Sequence, residues 1–181
     1  MALWDRSKAL AAFETFRLSG TNAALAVYWL SLWDGAAAPA RAAFNPARVR
    51  ELLPAIALCE MRGDGRAMCR LSGLYLDMAM GGPLRGADML SLVGGAERQR
   101  RAARLSGLVG GGVALSRTRY VVGGRSFVAE TLQLPFFGTA EDGARQYLSH
   151  CDWRPGAGDQ YRREPHLRSG TPDEHLAVAL V

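Results

Sequence analysis

The sequence is poor in the residues from which metal and redox sites are usually built. It contains three cysteines and three histidines in 181 residues. Neither type is arranged as CxxC or HExxH, the spacings typical of metal sites. An odd number of cysteines without a paired spacing favours a reducing compartment over a disulfide-linked secreted fold. We therefore predict no metal site.

Long hydrophobic runs are missing as well. The longest candidate, Ala23 to Trp33, is interrupted by Ser31 and falls short of the roughly 18 residues that a membrane span needs. The first residues, Met1 to Asp5, lack the basic and apolar regions of a secretory signal. The sequence therefore predicts a cytoplasmic protein without a membrane segment.

Lysine is nearly absent, since Lys8 is the only one among 22 basic residues. The formal net charge of +5 would suit a nucleic-acid partner. The densest basic run consists of Arg98, Arg100, Arg101 and Arg104. Aromatic residues, on which single-stranded bases stack, are not interleaved with it. We expect a solvated helix face here and keep a nucleic-acid-binding regulator as an alternative.

What the chain does contain suffices for a folded domain, with 49% hydrophobic and 22% charged residues. Periodicity and capping residues predict helices at 3–18, 21–33, 45–54, 74–80 and 97–109. Alternating patterns beside glycine-rich turns predict strands at 56–62, 66–71, 113–122, 126–137 and 144–153. This order predicts an α+β domain with a five-stranded antiparallel sheet. We place an N-terminal amphipathic helix at 1–20, the domain at 21–153, and a polar tail at 154–181, with a short helix from His175 to Val181.

The glycine-rich turns allow cross-strand registers to be predicted. If residues 63–65 all belong to the first turn, Cys59 lies opposite Cys69 on a dry face of the hairpin. If residues 123–125 all belong to the second turn, Thr118 lies opposite Glu130. A one-residue slip would exchange the two faces of a strand.

In that second register Glu130 points toward the core. A buried carboxylate must be satisfied by donors or remain neutral, so Glu130 is either a hydrogen-bonded structural acid or part of a polar ligand pocket. The direction of His150 is left open, because a six-residue turn does not fix the register of the last strand. The candidate pocket residues are Glu130, Thr118, Tyr120, Cys59, Cys69, Tyr75, Met78 and Met89.

Five segments have the order and spacing of a known family. They are a tryptophan-bearing helix (28–33), an Asn-Pro helix ending in Leu-Pro (45–54), a strand ending at 70–73, a glycine-bounded segment (82–86), and a Leu-Pro pair (134–135). Together they resemble short, stand-alone bacterial PAS-domain proteins over about residues 22–152. The resemblance implies a PAS-like fold, with helices on one face of the sheet and, here, an N-terminal helical extension.

The resemblance also implies a sensory or regulatory role without a cofactor. Haem-binding PAS domains use a histidine on a central helix, and the predicted central helices offer none. Flavin-binding members need an Asn-Cys-Arg run on a helix, whereas Cys69-Arg70 is predicted on a strand. We therefore predict no cofactor.

The predicted function is that of a non-enzymatic sensor or adaptor. It would act in trans on a separate signalling protein, because the sequence displays no output domain, and would bind a small metabolite between sheet and helices. Phe13, Phe16, Trp29 and Trp33 form a candidate interaction surface that either covers the outer sheet face or is shared across a homodimer. The enzymatic alternative requires Glu130 and His150 to converge.

Overall fold

The computed structural model describes residues 6–33, 38–109, 112–122, 125–139, 145–155 and 171–180. The helices are α1 (Arg6–Phe16), α2 (Gly20–Ser31), α3 (Leu74–Ala79) and α4 (Gly95–Val109), with short 3₁₀ turns at 41–43, 46–49 and 53–55. The strands are β1 (Ile56–Met61), β2 (Ala67–Ser72), β3 (Ala114–Val122), β4 (Arg125–Thr139), β5 (Arg145–Pro155) and β6 (Thr171–Leu180). No helix in this described part has the length and apolar character to cross a membrane.

One antiparallel sheet contains all the described strands, in the order β2-β1-β5-β4-β3-β6. The first five are the predicted strands, which confirms the α+β sheet. The sixth corrects a prediction, because residues 171–180 pair with β3 instead of forming a helix from His175. The unpaired edge of β3 supplies backbone partners for this segment, and a tertiary edge overrides a short helical pattern. Residues 3–5 of the predicted first helix and residues 156–170 of the predicted tail lie outside the described residues.

The β1–β2 hairpin has the predicted register around its turn. Cys59 lies opposite Cys69, and Arg62 N donates to Arg66 O at 2.9 Å. Gly65 has a φ of +80°, which glycine adopts without steric cost. A β-bulge between Leu58 and Cys59 then shifts the pairing by one residue.

The β3–β4 hairpin differs from its predicted register by one residue. Val122 pairs with Arg125, so Arg117 and not Thr118 lies opposite Glu130. The connection is two residues long, a length for which Gly-Gly is a favoured sequence. Because side chains alternate along a strand, this slip places Glu130 on the face opposite to Thr118.

Helices α1 and α2 cover one face of the sheet, which we call the outer face. Phe13, Phe16 and Trp29 are buried there against β1, β3, β4 and β5, with Trp33 packed at the margin. Ile56 and Leu58 of β1 lie under this helical layer. The predicted interaction surface is therefore an internal packing layer, because its aromatic side chains are used to cover the sheet.

Two local features fix α2 on that face. Ser19 caps the helix, its Oγ accepting a hydrogen bond from Asn22 N at 3.3 Å. At the other end Trp29, which is fully buried, donates from Nε1 to Pro135 O at 3.0 Å. A tryptophan in a core needs such a partner for its N–H group.

The opposite, inner face is covered by α3, α4 and the segment between them. Leu76 from α3 and Leu105 and Leu108 from α4 pack over Cys59 and Ala129 of the sheet. The sheet is thus sandwiched between two helical layers, each with its own hydrophobic cluster.

Candidate functional site

A cavity of about 360 Å³ lies between the inner face and the helices α3 and α4. Its sheet wall is built by the inward side chains of β1, β3, β4 and β5, and its other wall by α3, α4 and the segment 89–94. The sheet contributes Cys59, Ser116, Thr118, Tyr120, Ala129, Thr131, Gln133, Tyr147, Ser149, Cys151 and Trp153; the helical side contributes Leu76, Met80, Met89, Leu92, Val93, Gly94, Glu97, Arg101, Arg104 and Leu105.

Half of the residues predicted for a pocket line this cavity. They are Cys59, Met89, Thr118 and Tyr120. For the fifth strand, whose direction was left open, the structure places Cys151 toward the cavity and His150 on the outer face.

The other four predicted pocket residues lie elsewhere. Tyr75 and Met78 are about half exposed, on the face of α3 that is turned away from Leu76 and Met80. Because α3 has only six residues, its sequence period cannot determine which face is buried. Cys69 is buried on β2 beside Cys59 without lining the cavity, and Glu130 points to the outer face because of the register slip.

The helical wall of the cavity carries a group of charged side chains from α4. The carboxylate of Glu97 accepts from Arg104 Nη2 at 3.1 Å and from Arg100 Nε at 3.2 Å. Glu97 and Arg104 are both buried, whereas the side chain of Arg100 is 47% exposed. Arg101 also lines the cavity, and its Nη1 donates to Met89 O at 3.0 Å.

Arg104 and Trp153, which line the cavity, each have one buried donor atom without a hydrogen-bond partner among the described residues. These atoms are Arg104 Nη1 and Trp153 Nε1. Native proteins leave few buried polar atoms unpaired, and each such atom calls for an explanation. Both residues were missed by the sequence analysis. The signal for Arg104 was its helical spacing, since Glu97, Arg104 and Leu108 fall on one face of α4.

The thiols and phenols of the sheet wall are neutral near pH 7. Burial raises the pKa of Cys151 to about 12. It also raises the pKa of Tyr120, and raises that of Tyr147 well above its usual value. The pKa of Cys59 is raised well above the usual range, first by its hydrogen bond with Cys69 and then by burial. The wall therefore offers uncharged hydroxyl and thiol groups to a molecule in the cavity.

The arginine run of α4 is engaged within the domain. Arg98 Nη1 donates to Leu90 O at 3.1 Å and Arg101 Nη1 to Met89 O, so both hold the segment before α4. Arg100 and Arg104 pair with Glu97. These contacts do not favour the nucleic-acid alternative, which needs cations directed at phosphates.

On the outer face, Glu130 joins the sheet to the α1–α2 corner. Its Oε1 accepts from Ser19 N at 2.6 Å and from Asn22 Nδ2 at 2.9 Å, and its Oε2 accepts from Arg117 Nε at 2.8 Å. Arg117 also donates from Nη2 to the carbonyls of Phe16 and Arg17 at the end of α1. Burial raises the pKa of Glu130, but these hydrogen bonds outweigh it and lower the pKa overall. Glu130 is thus a hydrogen-bonded structural acid.

His150 extends this outer-face network. Its Nδ1 lies 2.8 Å from Asn22 Oδ1. Since Asn22 Nδ2 donates to Glu130, Oδ1 is the acceptor, and the network assigns the proton to His150 Nδ1. Burial lowers the pKa of His150 to about 4, against the raising effect of Asp152 and Glu130.

Glu130 and His150 therefore meet through Asn22, as the enzymatic alternative required. Both are buried beneath the helical layer, and neither lines the cavity. A general acid or base must lie within hydrogen-bond reach of its substrate. The geometry does not favour catalysis by this pair.

Neighbouring residues of the same strands serve the cavity on one face of the sheet and the helix contacts on the other. On β3, Thr118 lines the cavity and Arg117 contacts the end of α1. On β4, Thr131 lines the cavity and Glu130 contacts the α1–α2 corner. On β5, Cys151 faces the cavity and His150 the helices. The pleat of the sheet thus directs alternate side chains to two different tasks.

Residues 16–146, more than half of the chain, match the family model described as PAS domain. The chain belongs to the PAS domain family. No curated protein and no solved structure matches it. The family membership confirms that the sequence resembles PAS domains and makes this PAS domain a sensory or regulatory module. Among the described residues of the PAS domain, no group of three or more His, Cys, Asp or Glu side chains is placed to hold a metal ion.

Proposed function

We propose that this PAS domain is a non-enzymatic regulatory module that binds a small molecule in the inner cavity and acts in trans on a separate protein. The cavity is the observation that carries the proposal. Its volume of about 360 Å³ lies within the range of small-molecule sites. Its lining combines apolar side chains, which bury the body of a ligand, with polar groups that can orient it.

Support for a protein partner comes from α3. Leu76 on its inner face and Met80 just after its end line the cavity, while Leu74, Tyr75 and Met78 are exposed on its outer side. Leu71 on the adjacent edge strand β2 adds a further exposed apolar side chain. Grouped apolar side chains at a surface are typical of protein contacts. A ligand and a partner protein would thus touch opposite sides of one short helix.

Ligand binding is tested with a variant in which the cavity is partly filled. Ala129→Leu adds bulk to a side chain on the cavity wall, and Val128→Leu is its matched control on the other face of β4. We expect native mass spectrometry of the purified full chain to find a bound small molecule in the wild type and in Val128→Leu, and to find it reduced in Ala129→Leu. Equal occupancy in all three would contradict binding in this cavity.

The partner surface is tested by site-specific photocrosslinking in cells. A photoreactive residue replaces Tyr75, and for comparison Lys8, which is exposed on α1. We expect a protein adduct from position 75 only, with a yield that changes when Ala129→Leu is added. An adduct that is insensitive to the filled cavity, or no adduct, would contradict signalling through α3.

A further inference from the structure

The chemistry of the ligand can be narrowed from the unpaired donors of the cavity. Arg104 is 9% exposed, and only its Nη2 is used by Glu97. Its Nη1 and the Nε1 of Trp153 have no acceptor among the described residues. Both atoms can only donate, so the missing group must accept. A buried, charged donor without an acceptor is costly, which favours an acceptor that carries negative charge.

The net charge of the side chains that line the cavity indicates how much negative charge a ligand must carry to balance them. The charged side chains among the lining residues are Glu97, Arg101 and Arg104, so the described wall carries one net positive charge. Arg100 pairs with Glu97 from the exposed side, where water and salt screen its charge, and it is not counted. Glu97 does not compete for a cation, because both of its oxygens are held by arginines. A single anionic group on the ligand would balance this wall, whereas a dianion would leave one charge unmatched.

The rest of the cavity is suited to an apolar body. Leu76, Met80, Met89, Leu92 and Leu105 form much of the helical wall. Methionines adapt to ligands of irregular shape, because their side chains are unbranched and polarisable. The hydroxyls opposite them, on Thr118 and Thr131, can donate or accept as required.

We infer that the ligand is a small monocarboxylic acid with an apolar body, whose carboxylate lies beside Arg104 and Trp153 and accepts from their unpaired donors once these side chains turn toward the cavity. This inference rests on the proposed function, since it specifies the molecule that the cavity takes. It assigns Arg104 and Trp153 as ligand-binding residues.

The experiment compares acids with their neutral counterparts on the full chain. The probes are benzoate and hexanoate, benzamide and hexanamide, and phenyl phosphate, with binding followed by titration calorimetry and thermal stabilisation. We expect an acid to bind more tightly than its amide by about tenfold or more, because a charge-assisted hydrogen bond is replaced by a neutral one. Phenyl phosphate should bind more weakly than benzoate, because its second charge is unbalanced.

Three variants assign the effect to the cavity. Arg104→Lys keeps a charge beside Glu97 but removes the second nitrogen of the guanidinium fork, and Trp153→Phe removes only the indole N–H. Both should weaken acid binding more than amide binding, because the amide makes only neutral hydrogen bonds with these donors. Arg100→Lys is the matched control, since Arg100 pairs with Glu97 from the exposed side and does not line the cavity. Circular dichroism and thermal unfolding establish that each variant is folded.

The outcomes separate this inference from the proposed function. Amides that bind as well as acids, with both blocked by Ala129→Leu, would overturn the carboxylate while leaving the cavity as a binding site. Acid binding that is unaffected by Arg104→Lys and Trp153→Phe, or phosphate binding tighter than benzoate, would also overturn it. If no acid of the panel binds more tightly than its amide, the inference is wrong.

Discussion

The two faces of the sheet have the same strands and opposite properties. On the outer face, the polar groups of Glu130, Asn22 and His150 are paired with one another inside a packed aromatic layer. On the inner face, the strands border a cavity, and the donors of Arg104 and Trp153 are unpaired among the described residues. A buried network that is satisfied specifies structure, whereas one that is incomplete indicates a missing partner. The comparison assigns stability to the outer face and makes the inner face the place for the proposed ligand.

The largest expected effect is on the packing of the outer face. Trp29→Ala should lower the free energy of unfolding by about 4 kcal/mol, because it leaves a large void and removes a hydrogen bond to Pro135 O. Val27→Ala in the same helix is the control and should change it by less than about 0.5 kcal/mol, since Val27 is 67% exposed. Urea denaturation followed by circular dichroism measures both. A small loss for Trp29→Ala would mean that the helical layer is not a second core.

Acid should destabilise the outer face through His150. Its pKa is about 4 in the folded protein and 6.5 in the unfolded chain, so the unfolded state binds more protons between these values. The free energy of unfolding should therefore fall as pH decreases from 6.5 to 4, by roughly 3 kcal/mol for this group. Below that range the lowered pKa of Glu130 acts in the same direction, since its contribution is present above its unfolded pKa and is lost as the pH falls through its folded pKa.

The control for this pH dependence is His150→Gln, which cannot titrate but retains a donor for Asn22. Its unfolding free energy should change less between pH 6.5 and 4 than that of the wild type. Identical slopes for the two proteins would show that another group is responsible.

A smaller effect on the free energy of unfolding should distinguish Glu130 from its neighbour Thr131 on β4. Glu130→Gln should cost about 2 kcal/mol, because an amide replaces the carboxylate that accepts from Ser19 N, Asn22 and Arg117. The cost stays below that of a fully buried ion pair, since Arg117 is 28% exposed on its side chain and can reach water. Thr131→Val on the cavity side should cost less than about 0.5 kcal/mol in the unliganded protein. Equal costs in chemical denaturation would remove the distinction between the faces.

The sequence predicted most helices and strands because the residues that begin and end them act locally. The glycine-rich turns mark boundaries that no distant contact needs to specify, whereas the helix predicted at 45–54 is replaced by 3₁₀ turns at 46–49 and 53–55. The register of β1–β2 followed from one criterion, the separation of a dry face from a mixed one, and the criterion held near the turn. It failed beyond the bulge, because the extra residue there shifts the pairing of the two strands by one.

The site was less accessible from the sequence. In the β3–β4 hairpin, the choice between a two-residue and a three-residue turn decides which residues of the two strands share a face. A buried glutamate among apolar neighbours is consistent with either turn length. Arg104 resembled a solvated arginine among three others, and its spacing from Glu97 and Leu108 was the one local sign that it lies on the buried face of α4. Pairings such as that of Ser19 with Glu130 join residues 111 positions apart, which local patterns do not encode.

Along β4 and β5, side chains that face the cavity alternate with side chains that face the helices, and this alternation has an evolutionary consequence. Under the proposed function, substitutions at positions 129, 131, 149 and 151 change what the ligand contacts, while positions 130 and 150 preserve the architecture. Variation across the family should alternate from one residue to the next along these two strands.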